Sequence, residues 1–415
     1  MNNRCIEKNH RFNVIVLHKH SPQDGRILKH LQYLVNKQYA VYQIHVCRDT
    51  PIRSIKHLSN FGENSTTIGT KLCRNSFVTA IFFNIFIHTR YLVKHVILDL
   101  EESSINYQNP TIIHVHDPVL LPLAVKLNKS IKNSTIVYDR HEVYENGQNV
   151  FGIQFPSIGR LYEVIFRKNI SGLVCVTESQ LTKAKRLFAC SNYCVVNNFP
   201  DVTQYDCQKI QKKIDSVSRS EVIYLSYIGS LNYHVDRDIF FMLDIVDSIM
   251  QYNSRTSFFL GGITSDIELI SRIDTLTKRY PGRFNYLGYV PHDEVIEISL
   301  KSHIGFFILK NIKDEYRVSP NKVFEYLYCG CVPVIKANID YAERLCHSSL
   351  IYSEEVSKEE IIHDINSLLD TPELLKKKMV LSHDLGQQFT WESVADNYRI
   401  LYNELIRTIP EVETQ

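Results

Sequence analysis

Short apolar runs rich in β-branched residues alternate along this chain with longer amphipathic stretches, which is the spacing of strands and helices taken in turn. In the first half the runs at 13–17, 40–46, 111–115, 135–138, 173–176 and 194–196 predict strands. The pattern resumes at 222–228, 257–260, 284–287, 304–308, 332–335 and 350–352. Strands separated by helices predict an α/β architecture of parallel sheets covered on both faces. Between the two series, 199–220 is polar and charged with few apolar residues, and it reads as a linker. The organisation expected is therefore a first domain over 1–200, a linker over 201–220, and a second domain over 221–390. Open sheets of this kind bind ligands at the carboxyl ends of their strands, so the loops after the strands are where chemistry should be sought.

One such place is the run Ser319 to Ile335, which packs a loop, a helix and a strand into seventeen residues. Ser319 suits an N-cap, Pro320 the first helical position, and Gly330 the residue past the helix end. Lys322 then falls in the first turn, where the helix dipole disfavours a cation unless an anion sits opposite. Glu325, one turn on, shares its face and can accept hydrogen bonds from hydroxyls of the same ligand. An ordinary solvated Lys/Glu pair has the same spacing.

Four further clusters close strands. Asp24, Gly25 and Arg26 follow the first strand and open a helix, either meeting a phosphate or acceptor or serving as a cap and a surface residue. His114-Val115-His116-Asp117 ends the third, and His116 is the better placed of its histidines to face a ligand, packing being the alternative. Tyr138-Asp139-Arg140-His141-Glu142 ends the fourth with a density of ionisable groups that suits either a site or a hydrogen-bonded brace. Gly229 and Ser230 end the first strand of the second half, where glycine admits close backbone approach, and Arg237 beyond them can grip phosphate.

Composition narrows the function. The 415 residues carry 47 basic and 45 acidic side chains, a formal charge of +2, without a block of like charge to suit nucleic acid. Ten cysteines occur without paired C-x-x-C spacing, as expected of reduced, packed thiols. No run reaches the ~18 apolar residues of a membrane span, and 1–11 lacks a signal-peptide core, so a cytoplasmic protein is expected. The apolar stretch 77–87, flanked by Lys71, Arg74, Arg90, Lys94 and His95, suits either peripheral contact with an anionic membrane or a buried core helix.

Taken in order, these motifs resemble the group 1 glycosyltransferases, family 4 of the retaining enzymes with the GT-B fold. The resemblance runs over most of the chain and includes His20-x3-Asp24-x-Arg26-Ile27, Val176-Thr177-Glu178, Val196-Asn197-Asn198-Phe199-Pro200, Leu287-Gly288-Tyr289-Val290, Pro320-Asn321-Lys322-Val323-Phe324-Glu325-Tyr326 and Phe389-Thr390-Trp391-Glu392. It implies two facing Rossmann-like domains with a cleft between them, the nucleotide-sugar donor held mainly by the second, and a last helix within 391–415 crossing back to the first. It also implies that Glu325 binds the donor ribose, that Lys322 and Arg237 lie by the diphosphate with Gly229, Ser230 and Asn321, and that His116 lies by the transferred sugar. Asp24, Gly25, Arg26, His141 and Glu142 would line the acceptor side. Two positions depart from the family pattern. The acid common eight residues before the ribose glutamate is Arg317, leaving Asp314 and Glu315 as nearby acids, and the arginine common after the strand-end glycine is Ser230.

The expected activity is retaining transfer of a hexose-type sugar from a nucleotide diphosphate to a glycan or lipid-linked acceptor, as in polysaccharide synthesis. Neither cofactor nor metal is expected. A nucleotide-sugar epimerase and a non-catalytic donor-binding partner subunit are the competing readings.

Overall fold

The computed structural model describes residues 12–19, 24–47, 65–69, 89–141, 149–150, 153–154, 157–232, 236–310 and 319–409. The chain divides into two compact units, one of Met1–Asn197 with Val394–Gln415 and the other of Asn198–Ser393.

The first unit is built on seven parallel strands: β1 (Asn13–His18), β2 (Ala40–Cys47), β3 (Ser65–Gly69), β4 (Thr111–Val115), β5 (Ser134–Arg140), β8 (Gly172–Cys175) and β9 (Asn192–Val195). Their order is β3-β2-β1-β4-β5-β8-β9, and a small hairpin of β6 (Asn149–Val150) and β7 (Ile153–Gln154) stands apart. β1 and β4 are buried at every position, because a parallel sheet covered by helices on both faces has no solvent side to alternate toward. That is why apolar residues stand consecutively in both, Val14–Leu17 in β1 and Ile112–Ile113 in β4.

The second unit repeats the plan with six strands, β10 (Ile223–Ile228), β11 (Thr256–Gly261), β12 (Phe284–Gly288), β13 (Ile304–Ile308), β14 (Val332–Lys336) and β15 (Leu350–Tyr352). Their order is β12-β11-β10-β13-β14-β15. In each unit the first strand lies between the second and the fourth, so successive crossovers leave in opposite directions and open a crevice at the carboxyl ends of β1/β4 and of β10/β13. The architecture is the α/β arrangement of GT-B proteins.

The stretch 201–220 is not a linker. Val202–Gln204 is a 3-10 turn, Cys207–Ser216 an α-helix capped by Asp206, and Ile210, Ile214 and Val217 are buried in the core of the second unit. Three apolar residues at helical spacing suffice to seat a segment that is otherwise polar. The apolar stretch 77–87 lies outside the described residues, and among those described no helix is long and apolar enough to cross a membrane.

The helix Asn321–Tyr328 starts one residue later than the sequence suggests. Pro320 is its N-cap and contributes no side-chain bond, so Ser319 does not cap it. Its far end follows the expected pattern: Gly330 has a left-handed φ of 68°, and the amides of Gly330 and Cys331 donate to the carbonyls of Leu327 and Tyr326 at 2.9 and 2.8 Å. The helix is pinned to the sheet through Gly305 in β13, where an added Cβ would come within 2.4–2.6 Å of the buried Tyr326 ring. Gly305→Ala should therefore destabilise the second unit by about 1–3 kcal/mol through overpacking. The denaturant midpoint measures this, and an unchanged midpoint would show that the helix seat is not tight.

Candidate functional site

At the carboxyl end of β5 the side chain of Asp139 is wholly buried and surrounded by polar groups from four segments. Arg26, from the helix Gly25–Asn36, donates to both carboxylate oxygens at 2.8 and 3.0 Å and to the Val196 carbonyl at 2.8 Å. Tyr398, from the helix Trp391–Ile406, donates to Oδ2 at 2.9 Å. Three imidazole nitrogens face the same carboxylate: His114 Nε2 at 3.4 Å, His141 Nε2 at 3.5 Å and His116 Nδ1 at 3.6 Å. The histidines are also linked to one another. His141 Nε2 lies 2.7 Å from His116 Nδ1, His116 Nε2 lies 2.9 Å from His30 Nδ1, His30 Nε2 lies 3.0 Å from the Tyr402 hydroxyl, and that hydroxyl lies 2.7 Å from His114 Nδ1.

Burial decides the charges. Desolvation alone would raise the Asp139 carboxyl, but Arg26 and the nearby imidazoles hold it well below the usual carboxylate range. Desolvation pushes His30 and His116 well below the ordinary histidine value, helped by the neighbouring His114, and it lowers His114 too. Burial thus disfavours the charged forms of His30, His114 and His116 beside the Arg26–Asp139 ion pair. His30, His114 and His116, or His116, Asp139 and His141, bring ligand-type atoms together. Their direct nitrogen contacts of 2.7 and 2.9 Å are hydrogen bonds, shorter than the roughly 3.3 Å between two nitrogens on one tetrahedral zinc.

This arrangement corrects two expectations. Arg26 is neither a surface residue nor a ligand contact, being 3% exposed and spent on Asp139. His116 is fully buried with both ring nitrogens engaged, so His141, whose side chain is 12% exposed, is the cluster's outer member. Asp24 caps its helix by accepting from the amides of Arg26 and Ile27, and Gly25 is the first helical residue. Tyr138 and Arg140 do form a brace, both donating to the buried Glu163, at 3.0 and 2.7 Å. His30, Tyr398 and Tyr402 were missed. The available signal was an ionisable residue inside the buried stripe of Arg26, Ile27, His30, Leu31 and Leu34.

The second unit gathers a different set where β10 and β13 diverge. The part-buried Lys322 donates to the Ile228 carbonyl at 2.8 Å, and its ammonium lies 3.9 Å from the centre of the Tyr227 ring. A Cβ on Gly229 would come within 2.3 Å of that ammonium, so glycine is what lets the cation reach the strand-end backbone. Desolvation, reinforced by Arg237, pulls Lys322 down to about 7. Arg237 pairs with Asp236, forms an isolated backbone bridge to Leu309 at the end of β13, and leaves its buried Nε without a partner. Tyr227 donates to the carbonyl of the exposed Ser230 at 2.7 Å. Asn321 is the exposed first residue of its helix, and Glu325 is half-buried one turn below Lys322. Asp314, Glu315, Arg317 and Glu142 lie outside the described residues.

No protein-family model matches the sequence, and no curated protein matches it either. Solved structures do. The sucrose-phosphate synthase of Thermosynechococcus elongatus is similar with a TM-score of 0.66 at 13% identity, over 96% of this chain and 100% of that one. The Anabaena HepE protein in complex with UDP and glucose gives 0.65 at 10% identity, over 95% of this chain and 100% of its own. An Escherichia coli protein bound with UDP-2-fluoro glucose, described as trehalose-6-phosphate, gives 0.63 at 12% identity, over 96% and 99%. The chain thus shares the GT-B fold of glycosyltransferases.

The depressed histidines make the first unit acid-sensitive. Below the unfolded-state value of about 6.5 the unfolded chain binds protons at His30, His114 and His116 that the folded one refuses, so stability is present above that pH and lost below it. Each histidine contributes a slope of up to about 1.4 kcal/mol per pH unit. Urea midpoints recorded between pH 7.5 and 5 should fall steadily below 6.5, and His30→Phe should flatten the fall. A midpoint independent of pH over that range would mean that the buried imidazoles are charged.

Proposed function

We propose that this chain is a glycosyltransferase that moves a sugar from a nucleotide-diphosphate donor to a hydroxyl of a glycan, free or lipid-linked, with retention at the anomeric carbon. The observation that carries the reading is Lys322, a cation brought into the strand-end crevice of the second unit, with Arg237 nearby and no ion-pair partner among the described residues. An anion placed there would restore its full charge and use the Arg237 nitrogen that has no partner. A diphosphate suits two cations beside a strand-end glycine and the start of a helix.

Departure of a sugar from a diphosphate develops negative charge on the leaving phosphate, and fixed cations stabilise that charge more in the transition state than in the ground state. Lys322 and Arg237 take this role, Glu325 accepts from the donor ribose, and Gly229, Ser230 and Asn321 border the phosphates. Asp314, Glu315 and Arg317 belong to the segment that follows β13, where the transferred sugar would be met. The likeness to proteins solved with UDP, glucose or UDP-2-fluoro glucose supports a nucleotide sugar as ligand.

Lys322→Ala should lower turnover far more than it lowers stability, while Glu325→Ala should weaken donor binding by about 1.5–3 kcal/mol, roughly ten- to hundredfold. Calorimetry with nucleotide diphosphates and nucleotide sugars, followed by turnover assays, reads both effects. Unchanged donor affinity in Glu325→Ala would remove that residue from the ribose site. Nucleotide release should require an added acceptor, which an epimerase would not, and should survive a chelator, as expected of phosphate held by side chains.

A further inference from the structure

We propose, resting on the diphosphate reading of the second unit's crevice, that Lys336 is a positioning residue: it fixes the short arm 236–238 against the end of β13 and so holds the Arg237 guanidinium near Lys322. Lys336 acts through Arg237 and need not touch the ligand.

Lys336 ends β14 directly after Val332, Pro333, Val334 and Ile335, and it is 5% exposed. An ammonium so placed needs partners. Its Nζ donates to the Leu309 carbonyl at 3.2 Å, lies 3.5 Å from Asp238 Oδ2, and stands 4.8 Å from the centre of the Phe241 ring. One side chain thereby ties the end of β14 to the end of β13 and to the first turn of the helix Ile239–Tyr252.

Leu309 is held from both sides. Its amide donates to the Lys336 carbonyl at 2.8 Å and its carbonyl takes the Lys336 ammonium, while its other flank faces Arg237 in the antiparallel bridge. Two backbone bonds frame that bridge, from the Asp238 amide to the Ile308 carbonyl at 3.1 Å and from the Lys310 amide to the Asp236 carbonyl at 3.0 Å. Arg237 therefore stands on backbone locked to a strand end that Lys336 itself secures.

Asp238 supplies a second and independent observation. It occupies the N-cap position of the helix Ile239–Tyr252, where an aspartate ordinarily accepts from the first amides, yet its side chain makes no cap bond. The carboxylate pairs with Lys336 instead. An apolar residue at 336 would continue the strand, but it would leave the Leu309 carbonyl and the Asp238 carboxylate without the ammonium and release the arm between them. A released arm would have to be ordered again whenever Arg237 met a phosphate, and that ordering opposes binding. The guanidinium now lies close enough to disfavour the charged form of Lys322 and to hydrogen-bond Tyr227.

Calorimetric titration of the full chain with pyrophosphate, which carries the charge of the leaving group without base or sugar, tests the assignment through a double-mutant cycle. Lys336→Met should weaken pyrophosphate binding about tenfold, and Arg237→Ala at least as much. The double variant should bind within about twofold of Arg237→Ala alone, because Lys336 has nothing to position once the guanidinium is gone. A general loosening of the fold would multiply the two losses. Full affinity in a folded Lys336→Met, or losses that multiply, would overturn the proposal while leaving the diphosphate reading intact. Should Lys336→Met fail to fold, Asp238→Asn, which keeps an N-cap residue and removes the charge, carries the same cycle with the same outcomes. A parent chain that does not bind pyrophosphate, or that binds it equally well as Arg237→Ala and as Lys322→Ala, would overturn the diphosphate reading and this proposal with it.

Discussion

The first unit depends on the ion pair between Arg26 and Asp139. Burying two charges costs several kcal/mol per ion, and mutual attraction offsets this only when the remaining donors and lone pairs are used as well. Here the carboxylate accepts from Arg26 twice and from Tyr398, while Arg26 also reaches the Val196 carbonyl and leaves only Nε without a partner. These bonds join the first helix, the end of β5, the end of β9 and the last helix, and the longest of them spans 259 residues of sequence. Shifting any of them strands a charge away from water, so the pair specifies the packing even where it adds little net stability.

Net neutrality of that pair governs everything around it. A further proton on His30, His114 or His116 would place an uncompensated charge in the same low-dielectric volume, which is why burial lowers all three. The second unit has the opposite arrangement at the equivalent place in its sheet. There Lys322 meets a carbonyl and an aromatic face in place of a carboxylate, with Arg237 adding to its positive surroundings. Two sheets with the same strand order therefore hold a buried ion pair at one switch point and, among the described residues, a lysine without an ion pair at the other.

How much of this the sequence displayed follows from range. Every strand predicted from an apolar run was found, and where burial in the parallel sheet is complete it writes itself as consecutive apolar residues, as in Val14, Ile15, Val16 and Leu17. β3, with the sequence Ser-Thr-Thr-Ile-Gly, sits at the sheet edge and carries no such signal. The helix Cys207–Ser216 reads as linker in the sequence because its buried apolar residues, Ile210 and Ile214, are few. His116 was marked as a site residue, yet its burial by His30 and His141 depends on partners 86 and 25 positions away, a pairing that spacing along one segment does not display.

The same distinction explains why Lys322 was legible and Arg26 was not. The position of Lys322 follows from local rules: a proline before the helix, an ammonium in its first turn and a glycine at the end of the neighbouring strand. No side chain caps that helix start, so its first amides and the lysine present positive charge of the same local origin, and both favour an anion. Arg26 obeys the same local pattern, a basic residue in a first helical turn after a strand, and yet points inward because Asp139 waits in the core. A cation at a helix start is therefore ambiguous until its partners are known: Arg26 meets the Asp139 carboxylate, whereas Lys322 meets the Ile228 carbonyl and the Tyr227 ring.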